Sequence, residues 1–205
     1  MRLIHPDSKV AKRMISSPAF QRRLRRPVTV DFHYDIPYLA GYSKNARVVF
    51  FDRHLRHILV YKGRVYDTTK YIKLHEVGEK AFIDLYKLPY AVAHHLVTWA
   101  IEYPAVVADG LPWDVYDKFL KSQIKEAYDA RIKMVPKQLD LTPYKDEHQK
   151  ILIKKMKKEE KPINKPLTQS SNKSSIVAST AKEAVVREAA EIPFTRIAGE
   201  EHNGN

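Results

Sequence analysis

An α+β fold is expected: a short antiparallel β-sheet, a three-helix region, and a disordered basic C-terminal tail. Three observations predict it. Residues 28–66 are dense in Val, Phe, Tyr and Thr and are broken by Pro37, Gly41 and Gly63, the pattern of short strands and their turns. From Thr68 to about Ile132, apolar residues recur at close to the 3.6-residue period of a helix that packs one face. Beyond Lys145, "KILIKKMKKEEK" and "KPINKPLTQSSNKSS" carry too little apolar surface to offset the entropy of ordering.

In chain order, residues 1–27 read as a basic N-terminal arm with a short helix near Ala19–Leu24, residues 28–144 as the α+β domain and residues 145–205 as a flexible polar and basic tail. Within the domain, "VTVDFHYDIPYLAGYS", "NARVVFFDRHL" and "HILVYKGRVYD" supply the strands, and Lys62-Gly63 makes a tight hairpin turn. Thr68 or Thr69 caps a first helix that packs through Ile72, Val77, Ala81 and Leu85. Leu88-Pro89 ends it and opens a second helix through Val92, Leu96 and Ala100 towards Ala108. Pro104 is expected to bend that helix or stop it early, and Asp109-Gly110 closes it. A third helix starts near Pro112 and packs Val115, Phe119, Ile124, Ala127 and Tyr128. "VPKQLDLTPY" is an extended strap across the body, and "STAKEAVVREAAEI" a short amphipathic helix outside the core.

A chain of 205 residues holds one ordinary domain plus a tail. With no cysteine it has no disulfide, thiolate zinc site or thiol nucleophile. No run approaches the ~20 apolar residues of a membrane span, and "MRLIHPDSKVAKRM" lacks the apolar stretch of a secretory signal. The expected location is the cytoplasm of a host cell, or a virion assembled there. The net charge of +12 is concentrated in "KRMISSPAFQRRLRRP" and "KILIKKMKKEEK", which flank a nearly neutral body. Such arms either bind an anionic partner, nucleic acid or an acidic virion protein, or are simply solvated. No feature of the sequence indicates an oligomeric state.

The chemistry centres on His75-Glu76-x-x-Glu79. Four apart on a helix, His75 and Glu79 share a face with about 6 Å between their Cβ atoms, close enough to grip one ion. Zinc accepts histidine nitrogen and carboxylate oxygen alike. Glu76 holds the place of the glutamate that, in His-Glu-x-x-His proteins, deprotonates the metal-bound water. The second helix offers His94, His95 and Glu102, so a hairpin of the two helices can complete a cage of two histidines with one or two glutamates. The alternative is a charged helix face on which Glu76 pairs with Lys80. No glycine-rich phosphate loop and no serine nucleophile elbow are present.

The succession "DIPYLAGYSKNARVVFFDRHL", "HEVGEKAF", "LPYAVAHHLVTWAIE" and "VPKQLDLTPY" resembles a group of small phage- and prophage-encoded proteins over residues 28–144. Its layout is also similar to that of small zincin-like metallohydrolases. The resemblance implies His75, Glu79 and His94 as ligands of Zn²⁺ (His95 being the alternative to His94) and Glu76 as general base. It makes Glu102 a further ligand or a partner that supports one. Glu79 stands where zincins have histidine, a departure that bears on the metal and on peptidase activity. Two functions are thereby expected: a zinc-dependent hydrolase of the peptidase or amidase type, or a non-enzymatic virion or nucleic-acid-associated protein with basic arms.

Overall fold

The fold is α+β. The structure is a computed structural model that describes residues 3–127, 132 and 134–159, all within one unit of the chain, Met1–Pro162. Strands β1 (Thr29–Tyr34), β2 (Ala40–Tyr42) and β3 (Val48–Asp52) form a sheet in the order β1-β3-β2. β2 and β3 are antiparallel, with Gly41 opposite Phe50. β1 runs parallel to β3, with Val30 opposite Val49, which corrects the expectation of a wholly antiparallel sheet. The reason lies between β1 and β2. Proline fixes φ at residue 37, and Tyr38 and Leu39 then take left-handed backbone at φ 62° and 75°. The chain thus crosses to the far edge of β3 instead of doubling back beside β1. β4 (Ile58–Tyr61) and β5 (Arg64–Asp67) form the expected hairpin, with Lys62 and Gly63 at φ 48° and 75°, the two positive values of a type I′ turn.

Residues 3–27 are not an arm outside the body. They form α1 (Lys9–Ser16) and α2 (Pro18–Leu24), capped by the Ser8 and Ser17 hydroxyls, which accept from the Ala11 and Phe20 amides. Under the basic residues runs an apolar stripe that the charge obscures in the sequence. Ala11 and Phe20 are fully buried, and Phe20 lies 4.5 Å from the Phe82 ring. Burying one such side chain contributes roughly 1.5–3 kcal/mol towards holding the helix to the body.

α3 (Thr69–Tyr86) starts after Thr68 and ends where Lys87 turns left-handed at φ 53°, before Leu88-Pro89. α4 (Tyr90–Val97), a wide π turn (Thr98–Glu102) and α5 (Tyr103–Ala108) follow as one run. Pro104 does not stop it, since the run continues to Ala108. Proline has no N–H to give the carbonyl four residues back, and the wider turn absorbs the defect: the Tyr103 amide donates to the Thr98 carbonyl, five residues back. α6 (Trp113–Ala127) packs Tyr116 beneath it at 0 % exposure.

The strap lies along the free edge of β2. Asp140 N donates to Tyr42 O (2.9 Å), Lys44 N donates to Gln138 O (2.8 Å), and Ser43 bridges Leu139. A Cβ at Gly41 would meet Leu139 Cδ1 at 2.8 Å, so a side chain here would displace the Leu139 tip. After the strap come α7 (Thr142–Asp146) and α8 (Lys150–Glu159), which correct the expectation of a structureless tail from residue 145. Leu152, Ile153 and Met156 sit on one face of α8 and pack against the cluster of Ile36, Phe50 and Val135. The expected packing of Ala127 and Tyr128 and the rest of the tail, 160–205, lie outside the described residues. Among the described residues no helix is long and apolar enough to cross a membrane.

Candidate metal centre

The site is built where α3 meets α4, and Gly78 sets how closely they meet. A Cβ at this position would lie 2.7 Å from Val97 Cγ2 and 3.3 Å from Ile101 Cδ1. Glycine in a helix interior costs about 1 kcal/mol relative to alanine; here the close approach of the two helices offsets that. One residue further along α3, Glu79 meets His94 of α4.

Three side-chain atoms converge. His75 Nε2 lies 3.4 Å from Glu79 Oε2 and 3.1 Å from His94 Nδ1, and His94 Nδ1 lies 3.1 Å from Glu79 Oε2. A tetrahedral zinc at about 2.0–2.1 Å from its donors sets them about 3.3–3.4 Å apart. The triangle therefore matches three corners of such a tetrahedron and leaves the fourth free. The same contacts serve as hydrogen bonds when protons lie between the atoms. His75 and Glu79 are buried, whereas His94 is exposed. His95 takes no part in this cluster.

Glu102 occupies the opposite side of the His75 ring. Its Oε2 lies 2.7 Å from His75 Nδ1, and its Oε1 accepts from the Tyr116 hydroxyl at 2.7 Å. With Nδ1 turned to the Glu102 carboxylate, Nε2 is the ring nitrogen that faces Glu79 and His94; it can carry a proton between them or give that proton up to a metal. The geometry thus gives Glu102 the supporting place rather than a corner of the triangle. The π turn makes this reach possible. Eight residues of regular helix would rotate Glu102 about 80° from His94, and the wider turn narrows that offset so that both face α3.

Glu76 points into the same space. With His75, Glu79, His94 and Glu102 it lines a cavity of 220 Å³ whose far walls include Tyr42, Tyr90 and Tyr144. The alternative, a surface pair of Glu76 with Lys80, is not formed among the described residues. Lys80 is buried and donates instead to Asp84 at 2.7 Å and Asp140 at 2.8 Å.

Electrostatics follow from burial and proximity. Burial, and then the neighbouring charge of Glu79, push the Glu76 carboxyl up to about 8. Burial also opposes ionisation of Glu79, but hydrogen bonds from His75 and His94 outweigh it and lower its pKa. Burial disfavours a charged His75, yet Glu102 and then Glu79 prevail and raise its pKa well above the usual histidine value. The cavity thus pushes its two neighbouring carboxyls apart, favouring the ionised form of Glu79 and the protonated form of Glu76.

Three residues of the site carry no motif in the sequence. Tyr116 and Tyr42 look like ordinary packing residues of a helix and a strand. Gly78, isolated in a helical pattern, is the one local signal, since such a glycine marks a close approach of backbones. Compared with protein-family models, with curated proteins and with solved structures, the chain finds no match.

Proposed function

We infer that the chain is a zinc-dependent hydrolase of amide or peptide bonds, zincin-like in the way a helix presents its ligands. The observation that carries this reading is the triangle of His75 Nε2, Glu79 Oε2 and His94 Nδ1, with sides of 3.1–3.4 Å, beside a second carboxylate in an open cavity. Zinc held there would act as a Lewis acid, acidifying water and polarising a carbonyl. Glu102 and Tyr116 fix the His75 ring so that Nε2 faces Glu79 and His94, where a zinc ion would be held. Glu76 takes the proton of the attacking water and returns it to the leaving nitrogen. Its raised pKa suits a group that must both accept and give a proton near neutrality.

The experiment is Glu76→Gln, which keeps the side chain's shape and removes its basicity. The variant retains zinc and stability, and its hydrolysis of a peptide and amide library falls by ~10²-fold or more. Wild type that cleaves no member of the library, or a variant that cleaves as well as wild type, refutes the reading.

One observation favours a second reading, a virion or nucleic-acid-associated protein. On the other face of α3, an open groove of 590 Å³ is rimmed by Arg25, Arg26, Lys70 and Lys73. An anionic polymer lying along these residues would be bound through its charge, independently of the metal centre.

A further inference from the structure

Tyr42, the last residue of β2, is 3 % exposed and forms part of the cavity wall together with His75, Glu76 and Glu79. Its hydroxyl is buried and completes no hydrogen bond among the described residues. The Glu79 carboxylate lies close enough to act on the hydroxyl as a charge and a weak acceptor, but no well-formed hydrogen bond joins the two. Lys80, whose ammonium sits over the Tyr42 ring at 5.4 Å, is committed to Asp84 and Asp140. Other buried tyrosines here are partnered: Tyr116 donates to Glu102 and Tyr144 to the Pro37 carbonyl. A buried hydroxyl left unpaired is destabilising, and phenylalanine would fill the same volume without that cost.

The unpaired group is a donor in a cavity whose nearest neighbours are acceptors. Glu79, and Glu76 in the ionised form that takes the proton of water, offer nothing favourable to an oxygen gathering negative charge. We propose that the Tyr42 hydroxyl is the hydrogen-bond donor to the carbonyl oxygen of the substrate, and so a catalytic residue that restricts the site to carbonyl compounds. The proposal rests on the hydrolase reading. As water attacks the carbonyl carbon, the new C–O bond forms, the π electrons move to the carbonyl oxygen and the proton of water goes to Glu76. Tyr42 keeps its own proton and shares it with that oxygen. The C=O bond re-forms as the C–N bond breaks, and Glu76 passes its proton to the leaving nitrogen. A positioned donor of this kind acts where charge develops in the transition state.

The test compares wild type with Tyr42→Phe in three measurements. These are affinity of the zinc-loaded protein for acetohydroxamate by calorimetry, affinity for zinc by chelator competition, and melting temperature without metal. Hydroxamate binding is expected to weaken about tenfold, the worth of one hydrogen bond. Zinc affinity is expected to stay within about twofold, because Tyr42 is no ligand, and the metal-free melting temperature to hold or rise. Unchanged hydroxamate affinity overturns the proposal, as does zinc-loaded wild type that binds no hydroxamate. A loss of zinc affinity overturns it by making Tyr42 a support for Glu79, and a lower melting temperature by showing the hydroxyl bonded within the protein. Wild type that takes up no zinc overturns the metal centre itself, and the role of Tyr42 with it.

Discussion

His75 Nδ1 lies 2.7 Å from Glu102 Oε2, across 27 residues of sequence and between two helices. This contact decides which nitrogen of His75 is turned towards Glu79 and His94. Truncating the carboxylate in Glu102→Ala frees the ring to rotate and leaves the Tyr116 hydroxyl unpaired. Zinc affinity is expected to fall about 10–100-fold. Glu102→Gln, whose amide oxygen still accepts from Nδ1–H, recovers part of the loss. Chelator competition on the two variants reads both effects, and equal affinity in wild type and Glu102→Ala would remove Glu102 from the account of the site.

Gly78 links packing to chemistry. Gly78→Ala gains up to about 1 kcal/mol of helix propensity, but its methyl group would meet Val97 Cγ2 at 2.7 Å. Overpacking of this kind typically costs about 1–3 kcal/mol. The variant is expected to melt below wild type and to bind zinc more weakly, since parting α3 from α4 also parts Glu79 from His94. A stabilised variant with full zinc affinity contradicts the packing argument.

The ion pair of Lys80 with Asp140, 2.8 Å long, fastens the strap to α3. Burial opposes ionisation of Asp140, but Lys80 and the amide and hydroxyl of Thr142 outweigh it and lower its pKa below the ordinary 3.8. A carboxyl whose pKa is lowered by folding stabilises the fold above its unfolded value and loses that contribution as pH falls through the folded value. Stability therefore declines on acidification below about pH 4 in part through Asp140. Asp140→Asn should lose stability at pH 7 and depend less on pH in that range, as read by denaturant melts at pH 7 and pH 3. Equal pH dependence in the two proteins would show that another group governs the acid limb.

How much of this was legible in the sequence differs between elements. The hairpin at Lys62-Gly63, α3 with its face of His75 and Glu79, and the strap with its two prolines follow from local pattern, because each is governed by neighbours in the chain. The parallel pairing of β1 with β3 was not legible. It depends on left-handed backbone at Tyr38 and Leu39, residues that seldom adopt it. Charge likewise hid the packing of α1, α2 and α8, where a few apolar residues decide the outcome and many lysines and arginines decide the composition. In the site, the place of Glu102 was open between ligand and support because a π turn is not written in helical spacing. Tyr116 and Tyr42 come from elements distant in sequence, and only the fold brings them to the cavity.

The groove rimmed by Arg25, Arg26, Lys70 and Lys73 gives the anionic-partner reading its own test. If nucleic acid lies there, the double variant Arg25→Glu, Arg26→Glu weakens duplex DNA binding and lowers the salt dependence by roughly one per lost phosphate contact. Zinc content should not change. Filter binding across a salt series measures this, and an unchanged slope assigns those charges to solubility.

Zinc content tests the central claim most directly. Purified protein dialysed against zinc, then against metal-free buffer without chelator, should hold about one zinc per chain by elemental analysis. His75→Ala, folded as judged by circular dichroism, should hold none. Wild type that emerges folded and free of metal, or a His75→Ala variant that keeps its zinc, would contradict a metal centre at His75, Glu79 and His94.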